Sequence, residues 1–378
     1  MKTDRLLSLD VLRGITVAGM ILVNNPGDWG TIYSPLKHAE WIGLTPTDLV
    51  FPFFMFVMGV SMSISMKKYS GHFCSQFVIK LFKRTAILFL LGVMLSWFSL
   101  ALGNILHPSK GISLIQVLLP LHDVRILGVL QRLALSYFFA SLLVIWIRSK
   151  AGLLYTIISI LLIYGLVLWY GNGFELSEVN IIAVIDRCLL GENHMYLEWL
   201  PDGGRIRFDP EGFLSTLPGI AHVLIGYFCG NIIMQNKTLY EKIVQLSVIG
   251  IILLFMGFLF SYSCPIIKKV WSPTYVLVTS GFTYLFFVLL IWIIDLRKCL
   301  KWIIPFQALG CNPLFIYLFA SLMADMLGQV GLHEEVYAVF VKLFNPSCFS
   351  SMMYAIAYVA VNAGLAYILY KKRVFIKL

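Results

Sequence analysis

The chain has 378 residues, of which 59% are hydrophobic and 13% charged, with 29 Lys and Arg against 19 Asp and Glu. That charged share is about half the usual one, and apolar runs of roughly twenty residues recur along the length, which excludes an ordinary soluble domain. The net charge of +10 reads as a topology signal and gives no support to nucleic-acid binding, because Lys and Arg collect in cytoplasmic loops of membrane proteins.

The expected architecture is all-α: a polytopic integral membrane protein with a single domain over 1–378. About ten transmembrane helices are predicted, near 7–25, 47–66, 79–103, 125–147, 152–170, 213–234, 243–262, 274–295, 304–326 and 351–370. With the N-terminus inside, alternate connections carry about eighteen basic residues, among them Lys2, Arg5, Lys67, Lys68, Lys80, Arg148, Lys237, Arg297 and Lys377. The opposite face carries about eight (Lys37, Lys110, Arg187, Arg205, Arg207, Lys268, Lys269, Lys342) on longer loops, so the chain is predicted N-in and C-in. Asp10 and Arg13 interrupt the first apolar run and no small-residue cleavage site follows it, so a retained first helix is expected.

The seven cysteines show no CxxC or paired spacing and read as small buried hydrophobes in preference to disulfide or metal ligands. The connection at about 171–212 is acidic and carries a PDGG turn at 201–204. Its Tyr196, Trp199 and Phe208 predict an ordered lid or substrate-facing segment on the exoplasmic side. No internal repeat is evident.

Residues with chemical potential occur in chain order. On the first helix, Asp10, Arg13 and Asn24 share one face; Asp10 and Arg13 can pair, and Asn24 can hydrogen-bond near a reacting centre or cap the helix. The next connection and helix, WGTIYSPLKHAEWIGLTPTDLVFPFFMFVMG (29–59), places His38 beside Lys37, Glu40 and Trp41. A His can take a proton from an amine or attack a thioester, and Asp48 could orient its ring; TPTD is equally a helix-start signal, with Asp48 as a cap. In RILGVLQRLALSY, Arg125 and Arg132 are nearly eclipsed with Gln131 beside the second. Two arginines there suit phosphate or pyrophosphate, or pairing with a buried carboxylate such as Asp48. IDRCLLGENHMY (185–196) and FDPEG (208–212) supply Asp186, His194, Asp209 and Glu211, natural partners for an ammonium and hydroxyls, or alternatively a solvated loop face. KKVWSPTY (268–275) opens a span with an interfacial Trp271, and ALGCNPLFIY (308–317) predicts a helix broken at Asn312 and Pro313. GxGxxG, P-loop, HExxH and metal-spaced Cys/His clusters are all missing, so hydride transfer, nucleotide hydrolysis and a metal site gain no support.

At these residues the chain resembles the heparan-α-glucosaminide N-acetyltransferases and their bacterial relatives among the transmembrane acyltransferases. SLDVLRG, LVNN, LKHAEWIGLTPTDLVFPFFMFVMG, RILGVLQRLALSYF, IDRCLLGENHMY, FDPEGFLST, WSPTYV, GCNPLFIY and YKKRVFIKL carry the resemblance, in the family's order and over almost the whole chain. The resemblance implies acetyl-CoA as co-substrate from the cytoplasm and transfer to a small-molecule amino sugar of the glucosamine type across the bilayer. It places the family's catalytic His on His38 and its nearby Asn on Asn24, with the His as acetyl carrier or general base. Asp48 joins them as the expected orienting carboxylate. Arg13, Arg125, Gln131, Arg132 and Asn312 are the residues expected to hold the CoA moiety. Trp41, Asp186, His194, Asp209, Glu211 and Trp271 are those expected to face the sugar. WIG at 41–43 departs from the WNG of the animal enzymes, and the compact form implies a bacterial inner membrane with its exoplasmic side in a periplasm. Apolar outer faces would allow a homodimer. The competing function is an amino-sugar permease without acyl transfer, whose buried charges would line a pathway.

Overall fold

Apolar composition carries directly into helices, because a backbone in hydrocarbon must satisfy its hydrogen bonds within its own segment. The computed structural model describes residues 6–67, 75–108, 114–200 and 203–376. The chain-order elements are α1 (Leu7–Asn24), α2 (Val50–Met66), α3 (Ser75–Leu106), α4 (Leu114–Leu118), α5 (Val129–Trp146), α6 (Lys150–Tyr170), α7 (Ile181–Leu190), β1 (Leu197–Trp199) and β2 (Arg205–Arg207). They continue with α8 (Thr216–Ile233), α9 (Leu239–Phe260), α10 (Pro273–Leu290), α11 (Ile304–Cys311), α12 (Pro313–Gln329), α13 (Leu332–Leu343) and α14 (Ser347–Lys371).

Nine helices among the described residues are long and apolar enough to cross a membrane, and α11 with α12 makes a tenth if counted together. The protein is therefore an all-α multi-pass membrane protein, as composition predicts. α11 and α12 meet at 88°, with the break at Asn312. Pro313 has no N–H to continue the ladder, and the Asn312 side chain bonds the tail instead, giving Nδ2 to Val374 O (2.9 Å) and accepting from Ile376 N (2.8 Å).

Burial separates inner from outer helices. The apolar window of α8 is 72% buried, whereas those of α3 and α9 are 17% buried, which leaves their outer faces to lipid. At the centre α2 crosses α8 at backbone distance, because a Cβ on Gly59 would lie 2.1 Å from Val223 O and one on Gly226 2.3 Å from Phe56 O. Gly14 and Gly310 give α1 and α11 the same closeness.

The 171–212 connection is ordered by α7 and by the antiparallel pair β1–β2, in register Leu197↔Arg207. It closes over a small core with Tyr164, Leu168, Ile182, Phe208 and Val270. Phe208 is the aromatic that enters this core; Tyr196 and Trp199 are exposed. None of the described cysteines is disulfide-bonded, but burial as small hydrophobes holds for Cys229 alone, Cys188 and Cys299 being exposed. Lys2, Arg5, Lys68, Cys74, Lys110, Lys377 and the Pro201–Asp202 half of the predicted turn lie outside the described residues.

Candidate active site

The connection from α1 to α2 is built around one carboxylate. Pro46 starts a 3-10 turn, Pro46–Leu49, that feeds α2, and Asp48 occupies its third position. Asp48 Oδ2 accepts from Thr45 N (3.0 Å), Thr45 Oγ1 (2.9 Å) and Ala39 N (3.1 Å), so TPTD starts a helix as expected, but Thr45 is the N-cap and Asp48 is the third residue of its capping box. The other oxygen lies 2.7 Å from His38 Nδ1. One fully buried side chain thus both caps the helix and holds the His. A carboxylate only accepts, so Nδ1 carries the proton and donates, which leaves the Nε2 lone pair for chemistry. Tyr275 on α10 donates to the Asp48 backbone carbonyl at 2.6 Å and pins the turn from behind.

A second basic group meets the same carboxylate. Lys268 Nζ is 3.3 Å from Asp48 Oδ1, 2.8 Å from His38 Nδ1 and 3.3 Å from His38 Nε2. It arrives on a tight turn in which Trp271 N donates to Lys268 O and Trp271 adopts a φ of 53°, unusual for so large a side chain. Burial pushes the Lys268 ammonium below its ordinary pKa, against the pull of Asp48 and Glu211.

His38 and Lys268 stand on the rim of a cavity of about 350 Å³, whose other walls include Arg125, Arg132, Glu198, Glu211, Lys269 and Trp271. Every one of these residues comes from the connections, or adjoining helix ends, assigned to one side of the membrane from the sequence. Arg125 is held by carboxylates: Nε and Nη2 donate to Asp209 at 2.9 and 2.6 Å, and Nη2 also donates to Glu211 at 2.6 Å. Burial opposes its charge, but these carboxylates more than offset that and hold the guanidinium above its ordinary pKa. Burial likewise opposes the Glu211 charge, and Arg125 and Arg132 prevail and hold the carboxyl low. Arg132 differs. It is buried, donates through Nη2 to Ser215 and lies 4.7 Å from the Trp271 ring centroid. Its Nε and Nη1 have no hydrogen-bond partner, nor has Trp271 Nε1, among the described residues.

Other residues singled out from sequence sit elsewhere. Asn24 lines a cavity of about 180 Å³ with Asn25, Tyr317, Ser321 and Asp325. Asp186 supports the loop from beneath: Oδ1 accepts from Phe213 N (2.9 Å) and Leu214 N (3.2 Å). Burial raises its carboxyl to about 7. His194 Nδ1 is bonded to Val124 O at 2.8 Å, and Trp41 Nε1 donates to Phe174 O at 2.7 Å while its ring meets Phe208 edge-on. Gln131 is buried against Gly92 of α3. Arg13 bonds Ser61 (2.8 Å), Gly310 O (3.3 Å) and Asp10 (3.6 Å), on the face of α1 that meets α2 and α11. With Asn312 holding the C-terminal tail, Arg13 and Asn312 do not join Arg125 and Arg132 around the His38 cavity.

The cavity lies at the small end of the usual range for ligand sites, about 300–1,000 Å³. It suits a monosaccharide or the acyl end of a thioester, and Arg132 lines it with Nε and Nη1 unpartnered among the described residues. Lys268 was counted from sequence only as a loop charge; the KKVW stretch that contains it was the available signal.

The sequence matches the family described as heparan-alpha-glucosaminide N-acetyltransferase, catalytic, over residues 5–265. The match takes in the His38–Asp48 loop, both arginines and the Asp186–Glu211 segment, and stops short of Lys268. Heparan-alpha-glucosaminide N-acetyltransferase of Homo sapiens is 28% identical over 99% of this chain and 60% of its own length. That of Mus musculus is 27% identical over 99% of this chain and 61% of its own length. The chain therefore spans about 60% of the length of these curated relatives.

Proposed function

Since this chain belongs to the heparan-alpha-glucosaminide N-acetyltransferase catalytic family, we propose that it moves an acetyl group from acetyl-CoA to the amine of a glucosamine-type sugar. One observation carries the reading: His38 is fixed through Nδ1 on a buried carboxylate at the rim of a cavity whose walls alternate acids and bases. Nε2 is then the unprotonated ring nitrogen, with Lys268 Nζ 3.3 Å away. In direct transfer the amine nitrogen bonds the thioester carbonyl carbon and the C–S bond breaks. His38 takes the amine proton and returns it to the departing thiolate. In the two-step form the same Nε2 first bonds the thioester carbonyl carbon as the C–S bond breaks and the thiolate leaves; the amine nitrogen then bonds that carbon, the C–Nε2 bond breaks, and the released Nε2 takes the amine proton, which passes to the thiolate. Either route asks for the tautomer that Asp48 holds.

The sugar's ammonium and hydroxyls would be met by Glu211 and Glu198, and Arg132 would supply two N–H donors to an anionic or carbonyl oxygen of the donor. Asn24, in a second cavity beside α12, would approach the donor from that side. The sugar enters from the exoplasmic face, a periplasm in a bacterial inner membrane, and acetyl-CoA from the cytoplasm. Purified protein given radiolabelled acetyl-CoA and glucosamine, with His38→Ala alongside, tests this. Label should appear in the sugar with the wild type only; transfer retained by a folded His38→Ala protein would overturn the role of His38.

A further inference from the structure

Two bases share one carboxylate oxygen. Asp48 Oδ1 is within 2.7 Å of His38 Nδ1 and 3.3 Å of Lys268 Nζ, and the two bases lie 2.8 Å apart. The carboxylate brings one negative charge, and its second oxygen is committed to Ala39 and Thr45. A lysine ammonium and an imidazolium cannot both be neutralised there. Nζ lies 2.8 Å from Nδ1 and 3.3 Å from Nε2, so the ammonium is in contact with the ring as a whole, whose Nδ1–H already points to Asp48. Placing a further proton on Nε2 would make it a contact between like charges.

We propose that Lys268 is a positioning residue that disfavours protonation of His38, extending to lower pH the range over which Nε2 keeps its lone pair. Other charges around the pair are matched against one another. Lys269 pairs with Glu198 at 3.3 Å, and Arg125 with Asp209 and Glu211. Glu40 and Arg132 face the cavity with opposite signs, and Glu211 also acts on Lys268. Lys268 is the cation in hydrogen-bonding distance of the imidazole. A like charge in direct contact moves a titration by on the order of one to two pH units, even when partly compensated. The inference uses the proposed function only in taking His38 as the reacting group; its test reads His38 directly.

Diethyl pyrocarbonate acylates imidazole only when it is unprotonated, and peptide mass spectrometry resolves His38 from the other six histidines. The rate of His38 modification against pH is measured on full-length protein in detergent, for wild type, Lys268→Met, Lys268→Gln and Lys268→Arg. The neutral variants should move the midpoint up by about one pH unit or more, and Lys268→Arg should keep it within a few tenths of the wild type. Thermal unfolding of each variant identifies those that remain folded, and Lys268→Arg, which keeps the charge, separates the loss of charge from the loss of the side chain. An unmoved midpoint in folded neutral variants, a downward shift, or an arginine variant that behaves like methionine would overturn the proposal. Because modification needs neither donor nor sugar, a protein without acetyl transfer would refute the proposed function and leave this test intact.

Discussion

Replacing Asp48 by Asn exchanges one carboxylate oxygen for an NH₂ group, and the neighbours dictate which. The Oδ2 position receives three donors, from Ala39 N, Thr45 N and Thr45 Oγ1, so an amide nitrogen there would face all three. The amide oxygen therefore stays at Oδ2 and the nitrogen goes to Oδ1, opposite His38 Nδ1. Nδ1 must then accept, its proton passes to Nε2, and the base facing the cavity is lost. Lys268 loses its counter-charge at the same stroke. Where a triad His is held in the wrong tautomer by the same exchange, turnover falls about 10⁴-fold, or roughly 5.5 kcal/mol of transition-state stabilisation. Here His38 is partly open to solvent and some molecules regain the right tautomer, so a fall in kcat of about 10³–10⁴-fold is expected. Stability should drop by on the order of 2 kcal/mol, below the value for a wholly buried ion pair because His38 and Lys268 keep some contact with water. Steady-state transfer of labelled acetyl groups and thermal unfolding in detergent measure both. A folded Asp48→Asn protein within about threefold of wild-type kcat would refute the tautomer reasoning.

Arg132→Met should leave the fold as stable as the wild type or more so, since it removes a buried charge whose Nε and Nη1 have no partner among the described residues. The Michaelis constant for acetyl-CoA should rise at least tenfold, about 1.4 kcal/mol; an unchanged value removes Arg132 from donor binding. Asp186 holds its proton to about pH 7 in the folded protein, against an ordinary value of 3.8. The folded state therefore binds the extra proton between those limits, and this carboxyl makes stability fall as pH rises through that window, by up to roughly 4 kcal/mol. Asp186→Asn keeps the acceptor for Phe213 and Leu214 and should lessen that fall between pH 4.5 and 8. Thermal melts with the same pH slope for both proteins would refute it.

What the sequence exposes here follows the range of each interaction. A span is a local property: twenty apolar residues announce it, and the ten expected spans correspond to nine long helices and the bent pair. The break at Asn312 is equally local, because proline acts on its own backbone. His38 and Asp48 are ten residues apart on one turn, so a capping pattern beside a His is enough to suggest their contact. Arg125 lies beyond that range. The sequence suggests Asp48 as a carboxylate for it, whereas its partners are Asp209 and Glu211, 84 and 86 residues away.

Lys268 marks the limit most sharply. It is 230 residues from His38, in a stretch with no spacing that implies catalysis, and only the packing of α10 against α2 brings it to Asp48. That packing has its own local cause in Tyr275, whose hydroxyl reaches the Asp48 carbonyl from the first turn of α10, just past the Ser272 cap. The same cap closes the turn that carries Lys268 and Trp271, since Ser272 Oγ also accepts from Ile267 N at 3.1 Å. One end of α10 thus fixes the carboxylate from behind and delivers the ammonium in front. The ammonium beside His38 is delivered by a helix start far along the chain, and a loop motif read alone could not contain it.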